Sequence, residues 1–173
     1  MKLRVIATVD STNGIARKGK RPWYLPSNEL RFAALVLKNT VVADAPIGSL
    51  INDLEIVHCR TLVIGSEIPD AEAGKSFFPD LEKALAYAAE NPKGDIWVAG
   101  GQELLQKALP LASELVLTHV ERDFSCDEFF PEFDALKYEQ SILGSDWDDI
   151  YQCYVITKSY QLICSEKENV PAQ

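Results

Sequence analysis

The sequence has no excess of basic residues, no long hydrophobic run, no C-x-x-C pair and no G-x-G-x-x-G stretch. Each absence removes a class of function. Seventeen lysines and arginines stand against 26 aspartates and glutamates, a net charge of -9. A surface that tracks nucleic-acid phosphates needs the opposite balance, gathered into a patch. The one basic cluster, "ARKGKR" from Ala16 to Arg21, reads either as a solvated loop or as a segment that meets an anionic ligand. The N-terminal "MKLRVIATVD" is too short an apolar run for a signal peptide, and no stretch approaches a membrane span. Cys59, Cys126, Cys153 and Cys164 have neither metal-ligand spacing nor neighbouring histidines, so no metal site and no redox pair is expected. Reduced thiols and a cytoplasmic location follow as expectations.

What is present is ordinary for a soluble globular chain: 173 residues, 47% apolar and 25% charged. That length builds one core comfortably and two poorly. With no repeat and no internal linker, one domain over residues 1–164 is expected, followed by the polar tail "SEKENVPAQ" at 165–173. The short β-branched run at Leu3 to Val9 suits a strand buried on both faces, and Thr40 to Ala43, Arg60 to Ser66, Asp95 to Gly101 and Ser113 to Glu121 read as further strands. Between them lie helical patterns. The first opens at Asn28, with Asn28 or Ser27 as cap and Leu30, Ala33, Ala34 and Leu37 as its apolar positions. Others cover "DAPIGSLIND", "DLEKALAYAAE" and "QELLQKALPLA", and "QCYVITKSYQLI" reads as an antiparallel closing strand. Strands alternating with helices predict an α/β fold: a mostly parallel central sheet with helices on both faces and an antiparallel C-terminal strand. Ligands of such a sheet bind beyond the carboxyl ends of its strands.

Two constellations stand out against that pattern. "AGG", Ala99 to Gly101, falls where a strand gives way to a helix. It is either a plain turn or a place where backbone and free N–H groups approach a phosphate. In "RPWYLPSNELRF" (Arg21 to Phe32), Glu29 sits in the first turn of a helix about to be buried. It is either a solvated residue complementing the helix dipole or a pocket carboxylate. Trp23, Leu25, Leu30 and Phe32 could surround it with apolar groups, raise its pKa and let it manage a proton. Thr118, on a buried strand, could orient it.

Taken together, "NGIARKGKRPW", "LPSNELRF" and "IWVAGGQELLQKALPLASELVLTHVERDFSCDEFFPEFD" resemble the dihydrofolate reductase family, over most of residues 3 to 160. The resemblance implies a dihydrofolate-reductase-like domain that reduces 7,8-dihydrofolate with NADPH, hydride passing to C6 and a proton to N5. It assigns Glu29, Trp23 and Thr118 to catalysis, with Glu29 on the pterin edge and Thr118 holding Glu29. Val5, Glu29, Leu30, Phe32, Ala33 and Thr118 would bind the substrate. Ala7, Ile15, Ser66, Ala99, Gly100, Gly101, Gln102 and Leu104 would bind the cofactor, with Ala7 and Ile15 flanking the nicotinamide and the glycine pair taking the pyrophosphate. A small-molecule pterin partner, no nucleic acid, no membrane and a monomer are implied.

The middle of the chain departs from that family pattern. "ADAPIGSL" stands where the family carries a basic residue and a threonine for the cofactor phosphates, and Asp44 is expected to cap that helix itself. A carboxylate there opposes a phosphate by charge and takes its N–H groups. Without a charged donor at such a position, each missing hydrogen bond weakens phosphate binding by about 1.5–3 kcal/mol. Leu105, Ala33 and Pro79 replace an expected tyrosine, aromatic and base, and Arg60 answers to the folate-tail arginine only with a one-residue slip. Three readings stay open at this point: a working dihydrofolate reductase, a non-catalytic binding or assembly module of the same fold, and a reductase of another pterin or pyrimidine.

Overall fold

A computed structural model of the protein describes residues 1–56, 58–65 and 75–163. The chain runs β1 (Leu3–Val9), β2 (Gly14–Ala16), α1 (Pro26–Val36), β3 (Thr40–Asp44), α2 (Ala45–Asp53), β4 (Arg60–Ile64) and β5 (Lys75–Phe78). It continues α3 (Leu81–Glu90), β6 (Ile96–Ala99), α4 (Gln102–Ala108), β7 (Glu114–Val120), β8 (Glu128–Phe129), β9 (Tyr138–Asp148) and β10 (Cys153–Leu162). The main sheet has the order β5-β4-β3-β6-β1-β7-β10-β9. From β5 to β7 every pairing is parallel, and β10 and β9 close the edge antiparallel. The α/β fold expected from alternating strand and helix patterns is the one observed, with β5 and β9 as added strands at the two edges. Among the described residues, no helix is long and apolar enough to cross a membrane.

The central strands form because both their faces are covered. Val5, Val42, Val98, Leu115 and Leu117 belong to one apolar layer, and Ile6, Val41, Trp97 and Val116 to the other. Side chains alternate across a strand, so runs such as "LRVIATV" must be apolar throughout. Arg4 ties three strands at their amino ends, pairing with Asp95 at 3.0 Å and Glu114 at 2.9 Å. Arg60 is committed at the start of β4. Its guanidinium donates to Thr40 Oγ1 at 2.7 Å and to the Asn91 carbonyl and lies over the Tyr87 ring, so it does not serve as the folate-tail arginine.

Helix α1 differs from its expected face. It begins at Pro26, with Leu25 as the cap residue and no side-chain cap, because proline is tolerated at the first helical position. Asn28 and Ser27 therefore do not cap it. Leu30 is 73% exposed, and Ala34 and Leu37 also face solvent. The residues that meet the sheet are Phe32, Leu35 and Val36. Stepping back four residues from Phe32 reaches Asn28, so the buried stripe of this helix begins with an amide side chain.

The loop between β1 and β2 is organised by one carboxylate. Asp10 is 2% exposed. Its Oδ1 accepts from the Thr12 N–H at 2.9 Å, the Thr12 hydroxyl at 2.8 Å and the Gly14 N–H at 2.8 Å, while Oδ2 accepts from the Phe124 N–H at 3.0 Å. Burial pushes this carboxyl up, but the bonds from Phe124, Thr12 and Gly14 outweigh it and hold it below its ordinary value. Beside it, burial and then Asp10 push the Cys126 thiol up to about 12, so this cysteine is inert at neutral pH. Because the folded carboxyl titrates below the unfolded value of 3.8, its contribution is complete above that pH and fades as the pH falls through the folded value. Asp10→Asn is expected to cost roughly 1–3 kcal/mol at pH 7. Urea titrations of both proteins at pH 7 and pH 3 should show that gap narrowing at the lower pH; an unchanged gap contradicts the assignment.

Candidate active site

The cavity opens toward the carboxyl ends of β1, β6 and β7, where the topology predicts it. Ile6, Ala7 and Thr8 line it from β1, Ala99 and Gly100 from the end of β6, and Thr118 from β7. Asn28, Glu29 and Phe32 enter from α1, Ile47 and Leu50 from α2, and Ile15, Arg21 and Trp23 from the segment between β1 and α1. It is partly open to solvent, and its mostly apolar walls with a few polar groups give it the character of a small-molecule site. Trp23 is held from behind by an edge-on contact with Phe124, ring centroids 5.3 Å apart.

The polar floor is built on Asn28. Its Nδ2 donates to Thr8 Oγ1 at 2.7 Å, and its Oδ1 accepts from Thr118 Oγ1 at 2.9 Å. Thr118 in turn lies 3.0 Å from Thr157 Oγ1, and both threonines are buried. The hydroxyl expected to orient Glu29 therefore orients Asn28. One residue further round the helix, about 100° away, Glu29 lines the same cavity and faces Arg21, with Nη1 3.9 Å from its Oε1. Of the "ARKGKR" cluster, Arg21 is the member that reaches the cavity.

The expected site residues do not all gather in one place. Trp23, Glu29, Phe32, Thr118, Ala7, Ile15, Ala99 and Gly100 line one cavity. Val5 is buried in the core instead, with Val98 and Leu115 as its strand partners. Leu30 points to solvent, and Ala33 is half-buried outside the lining set, both for the reason that turned the helix face. Gly101, Gln102 and Leu104 line a neighbouring cleft. Ser66 lies outside the described residues. Thr8 and Asn28 are the functional candidates that sequence reasoning missed; the 28–32–36 spacing carried the signal.

Residues 2–158 match the family model for dihydrofolate reductase. The chain belongs to the dihydrofolate reductase family. The type 3 dihydrofolate reductase of Salmonella typhimurium is 29% identical over 165 residues, covering 93% of this chain and 99% of that protein. The dihydrofolate reductase of Neisseria gonorrhoeae is 26% identical over 82% of this chain and 86% of its own length. The dihydrofolate reductase of Enterococcus faecalis, solved with NADP(H) and RAB-propyl, superposes with a TM-score of 0.78 at 26% identity, covering 93% of this chain and 96% of that one.

In this member of the dihydrofolate reductase family the paired-glycine turn faces a carboxylate of the chain itself. Asp44 Oδ2 accepts from the Gly101 N–H at 2.6 Å, and Oδ1 accepts from the Ile47 N–H at 3.2 Å. The expected cap on α2 is thus present, and the same side chain also takes an N–H at the start of α4. The adjoining cleft carries Asp44, Asp80, Glu103 and Glu128. Among its described lining residues the one base is Lys107, which pairs with Glu103 at 2.9 Å. Gln102 is engaged too, its Oε1 accepting from the Phe129 N–H at 3.2 Å.

The turn's steric demand falls on the first glycine. A β-carbon on Gly100 would sit 2.8 Å from Asp44 Oδ2 and 2.9 Å from Leu104 Cδ2, whereas one on Gly101 would meet nothing closer than 3.4 Å. Gly101 has φ -75° and ψ 176°, extended backbone open to any residue, so an added methyl there brings no backbone strain. Gly100→Ala should destabilise the protein by about 1–3 kcal/mol through overpacking, and Gly101→Ala by much less. Thermal melts of both variants check this; equal losses would contradict it.

Proposed function

We propose that this chain reduces 7,8-dihydrofolate with NADPH, delivering hydride to C6 and a proton to N5 of the pterin. The observation that carries the reading is the cavity. An apolar slot with one fixed amide and one carboxylate stands at the carboxyl ends of the strands, in a chain of the dihydrofolate reductase family. Phe32, Leu50 and Trp23 offer faces for a flat heterocycle, and the Thr8–Asn28–Thr118 group offers hydrogen bonds to its polar edge. Glu29 is the group assigned to the proton. As the carboxylate lining this cavity it can hold a proton at its oxygens and pass it on directly or through water.

NADPH supplies the hydride when bound, and the chain fits its two ends unequally. Small residues at Ala7, Ala99 and Gly100, with Ile15, leave a shallow apolar wall against which a nicotinamide ring can lie. At the phosphate end, Asp44 takes the N–H groups of Gly101 and Ile47, and the acidic cleft beyond repels an anion. Poor affinity for NADPH follows. That same arrangement favours a second reading, a ligand-binding member of the family without turnover.

Purified protein, NADPH and dihydrofolate should show loss of NADPH absorbance, and Glu29→Gln should slow it by a factor of about 10²–10⁴ while folding stays intact. Equal rates in the two proteins would remove Glu29 from the mechanism. Asp44→Asn keeps a good cap while deleting the charge, so NADPH affinity should rise several-fold, more at low salt than at high salt because the repulsion it relieves is screened. A fluorescence titration at two ionic strengths measures this. No binding by either protein supports the second reading, and tight binding unaffected by the substitution removes Asp44 from the phosphate region.

A further inference from the structure

The amide of Asn28 is the best-fixed polar group in the cavity. Thr8 and Thr118 hold its two ends at 2.7 and 2.9 Å, and Thr157 backs Thr118 at 3.0 Å. An amide has two N–H donors and two acceptor lone pairs. One donor and one acceptor are spent on the threonines, which leaves one N–H and one lone pair for whatever enters. Exchanging the amide's oxygen and nitrogen leaves the same remainder, because each hydroxyl can give or accept. The floor therefore offers a donor beside an acceptor, and it is neutral at every pH.

We infer that Asn28 is a specificity-determining residue that selects an electrically neutral heterocycle edge, an acceptor beside a donor, and rejects the same ring once it is protonated. The inference rests on the proposed function only in taking a flat nitrogen heterocycle as the ligand. A lactam, –NH–C=O, matches the amide with two hydrogen bonds. So does a neutral aminopyrimidine, which sets a ring nitrogen beside an amino group. Protonating that ring nitrogen turns the edge into two donors, and the amide lone pair can meet only one. A carboxylate at position 28 would reverse the preference, because two donors with a positive charge make a bidentate charge-assisted pair with it. The charged groups nearby do not supply that pairing at the floor. Glu29 is turned toward Arg21 at 3.9 Å, and Arg31, on the far side of Asn28, is paired with Asp146 at 2.8 Å. Asp148, in the small adjoining cavity, accepts from the Tyr151 N–H.

The test uses two fragments and no cofactor, so a failure of turnover leaves it untouched. 2-Amino-4-oxopyrimidine is the lactam probe, and 2,4-diaminopyrimidine, whose ring nitrogen protonates in the accessible pH range, is the switchable one. In calorimetric titrations between pH 5 and 9, the unaltered protein should bind the diamino probe more tightly as the pH rises and the ring loses its proton. Asn28→Asp should bind it more tightly as the pH falls, by roughly tenfold or more over the unaltered protein at the acid end. Glu29→Gln, which removes the cavity's own carboxylate and its attraction for the protonated probe, should keep the sign of that slope and steepen it. Should Asn28→Asp fail to fold, Asn28→Ser is the second variant, and it should lose the lactam probe. The inference is overturned by tighter binding of the protonated probe to the unaltered protein, by an Asn28→Asp slope of unchanged sign, by reversal of the slope in Glu29→Gln, or by undiminished lactam binding in Asn28→Ser.

Discussion

Everything at the site depends on one side-chain amide that fastens the first helix to the centre of the sheet. Asn28 is the first residue of the buried stripe of α1, and the hydroxyls of Thr8 and Thr118 reach it from adjacent parallel strands, β1 and β7. A buried amide without partners would destabilise the fold by about 1–3 kcal/mol. Satisfied on two sides, it sets the rotation of the helix instead. That rotation decides which neighbours enter the cavity. Phe32 becomes a wall, Glu29 sits beside the floor, and Leu30 is turned out to solvent.

The second constraint is an internal anion. Asp44 ends β3 and reaches both the start of α2 and the turn after β6, tying together two helix starts that carry positive partial charge. As a structural device this is economical, since one carboxylate satisfies N–H groups at two helix starts. As a binding surface it is unfavourable to phosphate. The cavity and the acidic cleft thus pull apart in character, an apolar slot with neutral hydrogen bonding on one side of Gly100 and negative charge on the other.

Much of the fold is legible in the sequence because the central strands are covered on both faces and so spell uninterrupted β-branched runs, as "LRVIATV" does. β9 is not, because it is an edge strand whose residues mostly face solvent and leave no apolar pattern to read. The cavity's location follows from strand and helix alternation, and the helix pattern in "ADAPIGSL" is enough to expect the Asp44 cap. The helix face in "LPSNELRF" is where sequence reasoning fails. Two polar residues in succession differ by a single 100° step, and a cap at Ser27 or Asn28 would leave the carboxylate as the polar group of the pocket. Because Pro26 opens the helix, Asn28 is released from capping and drawn inward.

Asn28, and not Glu29, is the fixed floor of this cavity. A crystal structure of the protein with folate tests it most directly. The Asn28 amide should lie within hydrogen-bond distance of the pterin's polar edge, its bonds to Thr8 and Thr118 intact, and the Glu29 carboxylate beside the ring. A pterin edge held by Glu29, with Thr118 on that carboxylate and Asn28 turned away, would contradict it.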